Sequence, residues 1–272
     1  MQILGVAIIL CLLSTALSGA SFTDAFAVVF IDRASEAKFG PYPLDRAILA
    51  KAIRQAGNLG AKGVVLKFFL DQPTSERSDP LLEQAMTNTP VLLQARIDDL
   101  QLNPNALPND FTFPLVKAHT QVSGRSGWIP LPRFSQKATG VGFVDFASTE
   151  VPMLENYRSQ TVKSLTVCCI ELATGTQAII EPGRRIKFGA QELRVDPNNC
   201  IRAKLPAIDD LDYIPFHQFV AGEIPLGRIK GKVVILGYDG AQMHSLPTAI
   251  GPIRAHRFFV YTLRSVYDQL GL

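Results

Sequence analysis

The order of the apolar runs constrains this fold more than any single motif does. Residues 27–31 are a β-branched and aromatic run, residues 44–59 carry apolar side chains at helical spacing and end at Gly60, and residues 63–70 (GVVLKFFL) return to a strand pattern. Strand, helix and strand in that order make a β-α-β unit, and such units build parallel sheets. A second helix is expected from about residue 79 to 87, and VLLQARI from Val91 gives a third strand. Residues 98–127 hold several prolines and polar residues with little period and read as a long surface excursion. Beyond them VGFVDFA from Val141 is a strand and residues 164–174 a helix, while short strands around Phe188-Gly189 and near Ile201 suggest an antiparallel ribbon. KVVILG, residues 232–237, is the most strand-like run in the chain, and residues 254–270 close it with an amphipathic helix. The fold class is therefore α/β: a mostly parallel sheet with helices packed on it and a small antiparallel β ribbon in the C-terminal half. No repeat, low-complexity tract or shift of composition marks an internal boundary, so residues 21–272 are expected to form one domain.

With 47% hydrophobic and 19% charged residues, the chain can bury a substantial core. Its 27 basic and 24 acidic residues are scattered, so the net charge of +3 gives no single-sign field and nucleic acid is not an expected partner. The first segment, MQILGVAIILCLLSTALSGASF, is apolar from Ile3 to about Leu17 and then small, and Ser18-Gly19-Ala20 suits a signal-peptidase cut. Residues 1–20 are read as a signal peptide, with a periplasmic or extracellular product starting near Ser21. No Lys or Arg precedes the apolar run, which keeps open a short uncleaved anchor facing the protein outward; the run is below the ~20 residues of a spanning helix. Membrane contact is expected only through this segment. Cys11 follows Leu10 and lacks the look of a lipidated cysteine. Removal of the leader leaves Cys168, Cys169 and Cys200, enough for at most one disulfide, and the helical period of SLTVCCIELA suggests two packed thiols.

Catalytic signatures are missing. No Gly-rich phosphate loop or Gly-x-Ser-x-Gly elbow occurs, and His119, His217, His244 and His256 are too dispersed for local metal-ligand spacing, so neither a cofactor nor a metal is expected. What remains is position. Ligands of such sheets lie beyond the carboxyl ends of the strands, and those ends carry Asp32 and Arg33, Asp71 and Gln72, and Asp239 with Gly237 and Gly240. Three acids at one sheet edge can line a polar pocket or simply cap helices and turns.

The stretch VVFIDRASEAKFGPYPLDRAILAKAIRQAGNLGAKGVVLKFFLDQP resembles the opening of the CHASE-2 domain, a sensory extracellular domain associated with cyclases and histidine kinases. LGRIKGKVVILGYDGAQMHSLPTAIGPIRAHRFFVYTL is similar to the end of that domain, and the likeness covers nearly the whole mature chain. By this resemblance Asp32 is the strand-end acid, Tyr42 and Pro43 stand in an aromatic-Pro loop, Arg46 is the loop arginine and His256 the family's histidine. Tyr42 replaces the usual tryptophan, Leu44 and Asp45 lengthen the step to Arg46, and Lys67 stands where the second strand usually has an acid. The resemblance implies an exported bacterial sensory module that binds a small ligand or a membrane-bound signalling partner and has no catalytic role. Its candidate ligand-binding residues are Asp32, Tyr42, Arg46, Asp239 and His256. Family members typically continue into membrane helices and an output domain, so a chain stopping at Leu272 is expected to be a free-standing sensor or a fragment of a receptor. Two other classes stay open: an exported hydrolase or isomerase using Asp32, Asp239 and His256, and a scaffold recognising only protein. Arg46, near a helix start where a cation opposes the helix dipole, is expected to pair with Asp32 or to meet an anionic group of the ligand.

Overall fold

The computed structural model describes residues 21–101, 105–114, 120–146, 150–207 and 210–272; the leader, Cys11 and His119 lie outside the described residues. Its main sheet contains β1 (Phe26–Ile31), β2 (Gly63–Leu66), β3 (Val91–Ile97), β4 (Gly127–Trp128), β5 (Gly140–Phe143), β6 (Ile214–Pro215) and β7 (Val233–Tyr238). Parallel pairing runs β6-β1-β7-β2-β3-β5, and the short β4 lies antiparallel to the end of β3. The helices that matter for the site are α1 (Arg33–Phe39), α2 (Arg46–Asn58), α3 (Ser78–Ala85), α4 (Leu165–Thr174), α5 (Phe216–Ala221) and α6 (Ala255–Leu270).

Both faces of this sheet are covered, which is why its strands read as continuous apolar runs rather than as alternations. Val29, Ile31, Val64, Leu66, Val234 and Leu236 pack toward α2 and α5 in one core, with Ile53 and Phe219. Val28, Phe30, Val65, Val233 and Ile235 pack on the opposite face, with Ile170 of α4 and Val260 and Leu263 of α6. Polar side chains start the helices: Asp32 accepts from Ser35 N–H (2.9 Å), Asp45 from Ala47 N–H (2.7 Å) and Ser164 from Val167 N–H (3.3 Å). Gly142 in β5 is required by close approach, because a Cβ there would collide with the Leu165 backbone where α4 begins.

The α/β fold is as read from the sequence, with local differences. β2 ends at Leu66, four residues early: its neighbour β7 pairs with it only as far as Leu236, although Lys67 N–H still donates to Leu236 O (2.9 Å). Residues 98–127 are more than an excursion. They supply β4, and Thr112–Pro114 and Ser123–Gly124 join a four-stranded sheet with Leu154–Tyr157 and Gln160–Lys163. Strands of two or three residues are too short for hydrophobic period to reveal. The ribbon near Phe188 forms as Arg185–Phe188 with Gln191–Arg194, but its third strand is Ala178–Glu181; Cys200–Arg202 pairs instead with Glu150–Pro152.

Candidate functional site

On the α1–α3 face of the sheet's carboxyl edge, each expected residue has a partner within the protein. Asp32 caps α1 and also accepts from the Ser35 hydroxyl (2.7 Å), which lies 3.2 Å from His217 Nδ1. Ser35 is fully buried and gives its proton to the acid, so this trio ties α1 to α5 rather than presenting a nucleophile. Tyr42 stacks on Tyr238 with ring centroids 4.2 Å apart, and the Tyr238 hydroxyl donates to Glu36 (3.0 Å). Arg46 does not pair with Asp32. Its guanidinium is buried against Phe134 and donates to Asp79 Oδ1 (2.8 Å) and Gln72 O (2.7 Å). Asp79, at the start of α3, thus supplies the anion that a cation in the first turn of α2 needs, and a separation of 33 positions hid the pair from local pattern reading.

Asp239 follows β7 and holds Arg254 (3.2 Å) and Arg257 (2.8 Å), fastening the strand to the start of α6. His256, one helical position on, accepts the Tyr238 N–H at Nδ1 (2.9 Å). Burial, and then the charge on Lys67, hold its imidazole well below 6.5, so the ring is neutral with its proton on Nε2. Tyr42, Asp239 and His256 therefore converge on the end of β7 through Tyr238, while Asp32 and Arg46 are engaged elsewhere. Among the described residues no hydrogen bond joins Asp32, Asp239 and His256 to one another.

On the opposite face, under α6, the sheet edge encloses a cavity of about 90 Å³. Lys67 enters it from the end of β2, Gln94 from β3, Thr166 from the first turn of α4, and His256, Phe259 and Thr262 from α6. Lys67, Gln94 and Thr262 are 3%, 2% and 1% exposed, so the polar wall is largely shielded from bulk water. Lys67 Nζ sits 4.1 Å from the Phe259 ring centroid and has no hydrogen bond or ion pair among the described residues. Gln94 Oε1 and Thr262 Oγ1 have no hydrogen-bond partner either. Burial pulls the Lys67 ammonium down to about 7, against a smaller opposing effect of the Cys169 thiol. Three neighbouring polar groups without a hydrogen bond are an unusual concentration, since buried polar atoms are ordinarily satisfied. The wall opens to the surface beside Arg96, Phe146 and His244, all exposed.

The model of the CHASE2 domain matches residues 10–266. The chain belongs to the CHASE2 family. No match was found among curated proteins or among solved structures. CHASE2 domains are sensory extracellular domains, which supports an exported location for this one. Among its described residues no helix is long and apolar enough to cross a membrane.

Other polar clusters of this CHASE2 domain are self-contained. Burial and the nearby Asp145 hold the Glu155 carboxyl well above 4.5; it keeps its proton and donates it to Asp145, whereas as an ionised group neither of its oxygens would have a partner. Asp145 also accepts from Ile97 N–H (2.9 Å) and lies 3.6 Å from Arg96 Nε. Glu150, Asp196 and Cys200 bring ligand-type atoms within 4.8 Å of one another. Asp196 is occupied by the backbone N–H groups of Asn198 (2.9 Å) and Cys200 (2.7 Å), and burial first pushes the Cys200 thiol up to about 12, so no thiolate is on offer. Cys168, Cys169 and Cys200 are all free thiols. A larger open groove of about 1090 Å³ runs past the amino ends of β3 and β5; its lysines are engaged, Lys163 with Glu171 (2.6 Å) and Lys62 with Ala173 O (2.6 Å), and Asp110 at its rim is exposed.

Gln94 was not singled out in the sequence, and Lys67 was noted there only as standing where the second strand of the family usually has an acid, not as a candidate ligand-binding residue. The signal was present: Lys67 lies two residues after buried Val65 in GVVLKFFL, and Gln94 two after buried Leu92 in VLLQARI, so period two places both toward the same apolar face.

Proposed function

We propose that this CHASE2 domain is an exported ligand-sensing module of bacterial signal transduction, without catalytic role, whose small ligand occupies the cavity under α6. The observation that carries the reading is a set of buried polar groups around a space large enough for a few atoms: Gln94 Oε1 and Thr262 Oγ1 without a hydrogen-bond partner, and the Lys67 ammonium, which meets only the Phe259 ring. Burying such groups without partners costs stability, and a ligand that satisfies them recovers it on binding. α6 contributes His256, Phe259 and Thr262, so occupancy acts directly on the last helix, which is the element we assign to contact with a membrane-bound signalling partner. Cleavage of the leader after Ala20 and a periplasmic location belong to the same proposal. Asp239 and His256 support the noncatalytic reading, because each is engaged in fastening β7 to α6.

A thermal-shift screen of the full chain against small polar metabolites tests this. At least one compound should raise the melting temperature of the wild-type protein and leave Lys67→Met and Thr262→Val unmoved. Hits that act equally on all three proteins would place the ligand elsewhere and refute the site.

A further inference from the structure

The cavity under α6 also limits what its ligand can be, if the site proposed above is the sensory one. A cavity of about 150 Å³ holds the six carbons of benzene, so in proportion the volume here of about 90 Å³ admits about four non-hydrogen atoms, with room for one more where the wall opens to the rim. Charge is the second limit. Among the described residues Lys67 is the one cation in the enclosed part; Arg96, beside Asp145, and His244 stand at the exposed rim, and His256 is neutral. A single negative charge matches one enclosed ammonium, and the first turn of α4, represented in the wall by Ser164 and Thr166, adds the positive end of a helix dipole. Hydrogen bonding is the third. Lys67 Nζ, His256 Nε2 and the Thr262 hydroxyl are donors, whereas Gln94 Oε1 is an acceptor with nothing to accept. A bare anion would answer the donors and leave Gln94 Oε1 stranded.

We propose that the cavity takes a small monocarboxylate of about five non-hydrogen atoms that carries its own hydroxyl group, the carboxylate meeting Lys67 and the hydroxyl meeting Gln94 Oε1. Glycolate has this chemistry at this size, whereas glycine, a zwitterion at pH 7, has the carboxylate without the net charge. Acetate has the carboxylate without the donor, glycolamide has the donor without the charge, and inorganic phosphate has a different shape and more charge. Binding also has a proton signature. Lys67 titrates near 7, so at pH 7 about half the empty sites hold the ammonium, and an anion that fixes the charged form draws in about half a proton per site.

The test is calorimetric titration of the full chain at pH 7 with glycolate, glycine, acetate, glycolamide and inorganic phosphate, repeated in two buffers of different ionisation enthalpy. Glycolate should bind at least tenfold more tightly than glycine, acetate and glycolamide, with uptake of about half a proton. Lys67→Met should lose at least tenfold in affinity with its circular dichroism unchanged, and Gln94→Met should bind glycolate no better than acetate. Equal binding of acetate, tighter binding of phosphate, absence of proton uptake, or Lys67→Met binding like the wild type would overturn the proposal. So would a 44 Da mass gain on Lys67 from bicarbonate, which would make the amine a carbamate rather than an anion receptor. If instead only neutral or cationic compounds bind, in a Lys67-dependent way, the ligand class fails while the sensory site stands; if nothing binds, both fail.

Discussion

Replacing Lys67 with methionine should make the protein more stable, by an amount that depends on pH in a defined way. An unfolded chain holds the Lys67 proton up to the ordinary lysine value of 10.5, whereas burial in the folded state releases it near 7. Between those values the unfolded state binds the extra proton, so stability rises with pH at ~1.4 kcal/mol per unit and falls as pH drops toward 7. Integrated from the alkaline end, the folded state is penalised by roughly 4 kcal/mol at pH 7 and by about 2 kcal/mol at pH 9. Lys67 is 3% exposed, so solvent screening takes little from this figure. Lys67→Met keeps the length of the side chain and removes the titration. Urea unfolding of both proteins at several pH values between 7 and 10 should therefore show the variant ahead by several kcal/mol at pH 7, with the gap closing by about half at pH 9. Any difference in packing adds a constant and leaves the slope untouched. A gap that does not change with pH would mean that Lys67 keeps its proton in the folded protein, and the account of an uncompensated buried amine would be wrong.

Arg46→Ala should destabilise the fold by about 3–5 kcal/mol, because it strands a buried Asp79; a double-mutant cycle should show coupling with Asp79→Asn and simple additivity with Asp32→Asn, and the reverse pattern would restore the Asp32 pairing. Glu155 has its folded value raised, so its contribution is complete below 4.5 and is lost as pH rises beyond that. Glu155→Gln should accordingly gain on the wild type in urea midpoint from pH 4 to pH 7, and a difference independent of pH would count against a protonated Glu155. Burial pushes the Cys168 thiol up to about 12 and Cys169 higher than its ordinary value, so alkylation of the native protein at pH 8 should be slow at both and fast in denaturant. Rapid labelling of the native protein would show an accessible thiolate.

Long apolar runs were legible because a parallel sheet covered on both faces demands them: residues 27–31, 91–97 and 232–237 become β1, β3 and β7 with shifts of one residue at most. What stayed hidden depends on distance along the chain. Thr112–Pro114 and Ser123–Gly124 acquire a strand pattern only from partners tens of residues away. The acids at the strand ends were visible by type, but whether Asp239 faces a ligand or two arginines is decided by where α6 docks. The Lys67 cavity lay between these cases. A lysine among GVVL and FFL announces burial by period alone, yet its lack of a partner follows only from what β3, α4 and α6 bring beside it.

β1 and β2, consecutive in the chain, never touch, because β7 lies between them and pairs with both along their length. A ribosome must therefore add about 200 residues beyond β1 before the middle of the sheet can close. Until then β1 and β2 each present a bare edge with no neighbour to zip against, and contacts so distant in sequence form slowly. A nascent chain that cannot finish its core early remains thread-like for as long as synthesis lasts. That is the state in which a polypeptide passes through a narrow translocation channel, so the same late keystone strand that delays folding at the ribosome keeps the molecule fit for transport and defers its maturation to the far side.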